Sequence, residues 1–287
     1  MKRIDESGQI ILISGFIIAI GIVVLTVMLN NIVYASNTAS ESSIETNVFD
    51  YSNVVDSTIE AHEKAYADSN YGANTTAFNA YMANYSEKMI KSYSLSGFIC
   101  TLDTGTLQNP YFTENGLVDG NDNWIVVERI NHTDRFNLFE LNASTLGNES
   151  SKLTIEANNQ SGSRIWLASI FNSSGNVNVT VYDNNNLPHY WNNSDTIYNL
   201  NITGNEINGN NSFEFYFNNQ TANQIYSLTF MNGSDSMGTF RMEGGLRNGD
   251  SYYAERIHVV ESTMKLNKNG HLEVNATIPI TLPKGHI

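Results

Sequence analysis

Three textures of hydrophobic patterning follow one another along the chain. The first is continuous: from Ile10 to Leu29, twenty residues run without a charge. At about 1.5 Å per residue, a helix of that length spans roughly 30 Å, the thickness of a bilayer's hydrocarbon core. A helix buried in a soluble core would need partners on every face, which an N-terminal position makes hard to supply. Lys2 and Arg3 precede the span, and the first charges after it are Glu41 and Glu45. Positive flanks stay inside, so the pattern predicts a cytoplasmic leader over 1–8, a single-pass transmembrane helix over 9–34 and an extracellular location for the rest. A removable export signal is the alternative, with a faint small-residue site in "VYASNTA". The length of the apolar run favours an anchor.

The second texture is helical. Ile44, Val48, Val55, Ile59 and Tyr66 recur at four- and seven-residue spacings across 38–68, with Glu45, Asp56, Glu60 and Lys64 elsewhere. "ADSNYGANTT" (67–76) is a turn by composition, from which Thr75 or Thr76 caps a second helix. Phe78, Tyr81, Met82, Tyr85 and Met89 form an apolar stripe on that helix, which ends near Ser94. Residues 35–96 therefore read as a helical stalk or hairpin.

After Gly97 the period shortens to two. "NVNVTVY" (176–182) sets Val177, Val179 and Val181 against Asn178 and Thr180. "FEFYF" (213–217) repeats the pattern with Phe213, Phe215 and Phe217, and "HLEVNATIPI" (271–280) with Leu272, Val274, Ala276 and Ile278. Such alternation predicts strands with one buried face, hence antiparallel pairing. Further strands are expected at 124–130, 136–141, 164–171, 224–231, 237–243 and 252–260. The fold class expected is α+β: a transmembrane helix and helical hairpin, then an antiparallel β-sandwich-like part over 97–287.

Composition sharpens this picture in two respects. The formal net charge of −14 excludes nucleic acid as a natural partner. Asparagine occurs 41 times, and N-x-S/T sequons begin at Asn74, Asn84, Asn131, Asn142, Asn148, Asn159, Asn172, Asn178, Asn192, Asn201, Asn210, Asn219, Asn232 and Asn275. Those fourteen compare with roughly seven expected from the residue frequencies. The excess favours N-glycosylation, which requires an exterior surface, over compositional drift. Asn178 and Asn275 are expected on the solvent face of their strands.

The start of the chain carries a resemblance. A short charged leader, "MKRIDESG", then "GQ", then an unbroken apolar helix resembles the precursors of archaeal type IV pilins and archaellins. The "DESGQ" stretch is similar to the DE-x-GQ start of archaeal membrane-anchored surface proteins. The resemblance covers about 35 residues and implies cleavage between Gly8 and Gln9, with the helix kept on the mature protein. Asp5 and Glu6 depart from the basic residues usual before the cut, and Ile13 from the glutamate usual at the fifth mature position. Self-association of such a helix would use its small residues, Ser14, Gly15, Ala19 and Gly21.

Catalytic and cofactor motifs are not found in the sequence. The lone Cys100 excludes an intrachain disulfide and a cysteine-based zinc cluster, and reads as a small buried hydrophobe. His62, His132, His189, His258, His271 and His286 stand at no metal-ligand spacing. "DGNDN" (119–123) offers Asp119, Asn121 and Asp122 oxygens to calcium but lacks the full ligand spacing of an EF-hand. "EGGLRNGD" (243–250) reads as a hairpin turn rather than a phosphate loop. The sequence thus predicts no catalytic, cofactor or metal residue. It predicts a structural or adhesive surface protein, whose partners are the lipid bilayer and either copies of itself or other envelope proteins. An anchored ligand-binding module is the alternative, and an anchored hydrolase, marked by a carboxylate-lined cleft, a third.

Overall fold

The computed structural model describes residues 26, 28, 29, 51–182, 187–193, 197–211, 213–268 and 272–283. Contacts divide the chain into two units, Met1–Ser57 and Thr58–Ile287. In the first, Thr26, Met28, Leu29 and residues 51–57 are helical. The leader, Gly8 and Gln9, the packing positions Ser14, Gly15, Ala19 and Gly21, and the rest of the Ile10–Leu29 span lie outside the described residues. Among the described residues, no helix is long and apolar enough to cross a membrane.

Residues 51–68 are helical (α1), and the division between units falls inside this stretch. The second unit opens on a helical hairpin. After α1 the chain reverses through Asn70, Tyr71 and Gly72, all at positive φ. A Cβ on Gly72 would stand 2.8 Å from the Tyr66 ring, so glycine is required there for space as well as conformation. Helix α2 covers Thr75–Leu95. Its N-cap is Asn74, whose Oδ1 accepts the Ala77 N–H at 3.1 Å; the expected caps, Thr75 and Thr76, lie one and two residues inside the helix. Asn is among the strongest N-caps because its short side chain reaches the free N–H groups of the first turn.

This hairpin packs on a small sheet of three antiparallel strands: β1 (Ile99–Thr104), β12 (His258–Lys268) and β13 (Leu272–Leu282), with β12 in the centre. Phe78 and Met82 of α2 meet Ala61, Ala65 and Tyr66 of α1, and Val260, Ile280 and Leu282 of the sheet, in one apolar cluster. Polar ties cross the same seam. The Nδ1 of buried His62 lies 2.7 Å from the Thr58 carbonyl, which only accepts, so Nδ1 carries the proton. Its Nε2 then accepts the Ser262 hydroxyl at 2.9 Å. Tyr66 bonds His258 Nδ1 at 3.0 Å, and Ser86 donates to the Leu102 carbonyl.

The remaining ten strands form one antiparallel sheet that curls on itself. They are β2 (Trp124–Asn142), β3 (Leu153–Asn159), β4 (Arg164–Ser173), β5 (Asn176–Tyr182), β6 (Pro188–Asn193), β7 (Ile197–Asn201), β8 (Glu206–Ile207), β9 (Tyr226–Met231), β10 (Thr239–Leu246) and β11 (Ser251–Arg256). The order runs β11-β10-β2-β9-β3-β4-β5-β6, with β7 and β8 branching from β2. The antiparallel β-rich architecture expected from the alternation is present. Val177, Val179 and Val181 are buried as the pattern required, together with Ile155, Ile170, Leu228 and Trp166.

The expected strands are corrected in three places. The strands expected at 124–130 and 136–141 are one strand, β2, of 19 residues. It continues because register shifts at Val127/Ile130 and Leu138/Leu141 absorb its irregular pattern, with Arg129 and Glu140 turned to φ 56° and 55°. "FEFYF" is not a strand. Phe213, Phe215 and Phe217 do point inward, but the Phe215 N–H donates to Asn205 Oδ1 and its carbonyl accepts the Trp166 indole N–H at 2.7 Å. Side chains satisfy this backbone, so no ladder forms, and the chain enters the short helix α3 (Phe217–Thr221). The strand expected at 252–260 divides at Ile257 into β11 of the large sheet and β12 of the small one.

Candidate functional site

Where β2 bulges at Glu140, a cleft of about 820 Å³ opens against the starts of β10 and β12. Glu140 cannot follow the pleat, because its left-handed backbone turns the side chain out of the ladder into the exposed lining. That conformation costs a non-glycine residue on the order of 1 kcal/mol and concentrates at sites of function. The Glu140 N–H is met by Asn199 Oδ1 of β7 at 3.4 Å. Asn109, Asn142, Asn199, Arg241 and His258, with the hydroxyls of Thr145 and Thr239, add to the hydrogen-bonding lining, and Phe139, Met237 and Ile257 are its apolar parts.

Behind this lining stands a charged group on the β10–β11 hairpin. Arg241 pairs with Glu255, which is 4% exposed at its side chain. Tyr253 donates its hydroxyl to the other Glu255 oxygen. Burial works against the Arg241 charge, but the Glu255 bond and charge outweigh it and hold the guanidinium above its ordinary pKa. Burial, then the Glu255 contact, pushes Tyr253 up to about 12. Burial also pushes Tyr66 up to about 12, helped by the charges of Glu255 and Glu140. Desolvation lowers His258, with Glu140 opposing it. The lining therefore presents a free carboxylate, a fixed guanidinium, a neutral imidazole and three asparagine amides. Both Glu255 oxygens are engaged, and among the described residues that line the cleft Glu140 supplies the carboxylate.

The sequence-predicted residues are placed elsewhere, apart from Asn142 and His258. Asn121 Oδ1 accepts the Asn123 N–H and Asp122 Oδ1 the Ser234 N–H, so the oxygens of the "DGNDN" loop serve as turn caps, while Asp119 is exposed. Among the described residues no three metal-ligating side chains converge. Cys100 is buried in β1, and burial raises its thiol pKa. His62 is fully buried; His132 is exposed beside Asp134; His271 and His286 lie outside the described residues. "EGGLRNGD" forms the β10–β11 turn, closed by the Leu246 N–H on the Asp250 carbonyl.

Thirteen sequon asparagines have described side chains, and all are exposed or half-buried; the Asn192 side chain lies outside the description. Asn275 is exposed as expected, whereas Asn178 is half-buried and its Nδ2 donates to the Asn176 carbonyl. The Glu140 cleft escaped the sequence reading because its members come from residues 109 to 258, each unremarkable alone. The only local signal was the broken alternation of β2. No protein family, curated protein or solved structure matches this chain.

Proposed function

We propose that this chain is a membrane-anchored protein of the archaeal cell surface, whose β-rich part stands outside the cell and acts as an adhesive module. The anchor and its orientation rest on the Ile10–Leu29 run and the Lys2 and Arg3 flank. Every sequon asparagine with a described side chain is exposed or half-buried, which is consistent with an exterior setting. The observation that carries the adhesive reading is the Glu140 cleft. The amides of Asn109 and Asn199, the Glu140 carboxylate and the Arg241 guanidinium bring donors and acceptors into one cleft, which suits a polyhydroxylated ligand such as an envelope saccharide. The engagement of Glu255 by Arg241 and Tyr253 favours binding over hydrolysis.

Two measurements test this. Protease added to intact cells should remove the region beyond about residue 30; protection of that region overturns the exterior placement. Saccharide-array binding by the detergent-solubilised chain should fall at least tenfold in Glu140→Gln, which keeps the shape and removes the charge. Equal binding by both forms overturns the cleft as the adhesive surface.

A further inference from the structure

The fourteen sequons are chemically unequal in the fold, and the difference lies in what the asparagine amide nitrogen is already doing. At Asn142, Asn148 and Asn159 the side-chain oxygen accepts two bonds from the residue two positions on. Asn142 Oδ1 takes the Ser144 N–H and hydroxyl, both at 2.9 Å. Asn148 Oδ1 takes the Ser150 N–H at 2.8 Å and the Ser150 hydroxyl. Asn159 Oδ1 takes the Ser161 N–H at 3.1 Å and hydroxyl at 2.7 Å. Among the described residues, Nδ2 of these three makes no hydrogen bond.

The opposite holds at four others. Asn172 Nδ2 donates to the Ala143 carbonyl at 2.8 Å, Asn232 Nδ2 to the Lys152 carbonyl at 3.1 Å and Asn201 Nδ2 to Glu206 at 3.0 Å. Asn178 Nδ2 donates to the Asn176 carbonyl at 3.1 Å, as described above. All four are half-buried, as are Asn142 and Asn159, so the bond made by the amide nitrogen, not burial, sets the two groups apart. Asn172 and Asn232 thereby fasten the two ends of the 143–152 loop, on which Asn148 is displayed.

We infer that Asn142, Asn148 and Asn159 are the modified sequons of this group, and that Asn172, Asn178, Asn201 and Asn232 are structural. In the modification, Nδ2 bonds to the anomeric carbon of a lipid-phosphate-linked saccharide. The bond from that carbon to the phosphate oxygen breaks, the lipid phosphate leaves with the electron pair, and one Nδ2 proton passes to a base. Two donors on Oδ1 draw electron density from the amide and make its N–H protons easier to remove. A nitrogen that makes no hydrogen bond can receive the sugar without giving one up, whereas an Nδ2 pinned to a carbonyl or carboxylate is not free to turn. The hydroxyl two residues on, which defines the sequon, forms the activating contact at all three sites.

The inference rests on the exterior placement, and its test separates the two. Peptide mapping by mass spectrometry of native protein from its source membranes should find saccharide on Asn142, Asn148 and Asn159 and none on Asn172, Asn178, Asn201 or Asn232. Asn148→Asp and Asn159→Asp keep the accepting oxygen and lose the nucleophile. Each should remove one saccharide mass while leaving the unfolding midpoint of the full chain within 2 °C, roughly the effect of less than 1 kcal/mol. Saccharide on the pinned asparagines, or no saccharide on Asn142, Asn148 and Asn159, overturns the assignment. The protease result on intact cells stands or falls independently of it.

Discussion

Replacing Arg256 by methionine removes a buried charge held chiefly by backbone carbonyls. Arg256 is 5% exposed. Its guanidinium donates to the carbonyls of Thr113, Glu114 and, at 3.4 Å, Tyr111, and lies 5.0 Å from the Trp124 ring and 5.5 Å from Phe240. Two close charge-assisted bonds contribute roughly 3–6 kcal/mol together, and the ring faces about 1 kcal/mol more. Against this, burial pulls the arginine pKa down to about 10, a cost to the charged form of roughly 3 kcal/mol. The balance favours the native arginine by about 1–4 kcal/mol. Methionine also leaves the carbonyls without donors, which pushes the loss toward the upper end. For a unit of this size, about 3 kcal/mol corresponds to a fall of roughly 6–12 °C in the unfolding midpoint. The assay is thermal unfolding of the full chain in detergent, followed by tryptophan fluorescence, since Trp124 sits against the mutated side chain. Limited proteolysis should cut within residues 105–123 before the rest of the chain opens. A midpoint shift below 2 °C with an unchanged cleavage pattern would refute the reasoning.

Other expectations follow from the same geometry. His62 is held neutral, with its pKa lowered by burial against a weaker opposing bond from Thr58, so its stabilising contribution is complete above the unfolded value near 6.5 and is lost as pH falls toward the folded one. The native midpoint should therefore drop between pH 7 and pH 5, and the drop should be smaller in His62→Gln; parallel curves would count against it. Glu140→Gly relieves the left-handed strain, raising stability by about 1 kcal/mol in urea titration while weakening saccharide binding; a destabilised variant would show that the strain is not stored there. Gly15→Leu with Gly21→Leu keeps the N-terminal run apolar and should preserve membrane insertion while abolishing crosslinked oligomers. Oligomers that persist would leave a plain anchor.

Much of the β-rich part could be read from period-two alternation, because one buried face is a strong local constraint. Val177, Val179 and Val181 on β5 illustrate it, as does the exposed Asn275 on β13. The pattern failed where another force satisfied the backbone. Phe213–Phe217 alternates in burial yet forms no ladder, since Trp166 and Asn205 supply its hydrogen bonds from afar. Strand β3 escaped because its first three residues, Leu153, Thr154 and Ile155, are all buried, which removes the alternation. The cleft was the least legible feature. A left-handed glutamate leaves no mark in composition, and its neighbours arrive from β7 and β10 through pairing with β2 and from β12 of the other sheet.

The small sheet carries a consequence for how the protein is made. Strand β1, among the earliest elements, pairs among the described residues with β12 alone; Cys100 faces Leu266. The helical hairpin likewise buries Phe78 and Met82 against Val260, Ile280 and Leu282. A chain delivered N-terminus first therefore presents an apolar hairpin and an unpaired strand for as long as the ten-stranded sheet takes to emerge. Contacts so distant in sequence form slowly, and their unpartnered surfaces are prone to aggregate meanwhile. A truncation that removes the last thirty or so residues, those carrying β12 and β13, would thus strike first at the helices near the beginning, leaving them no surface on which to fold.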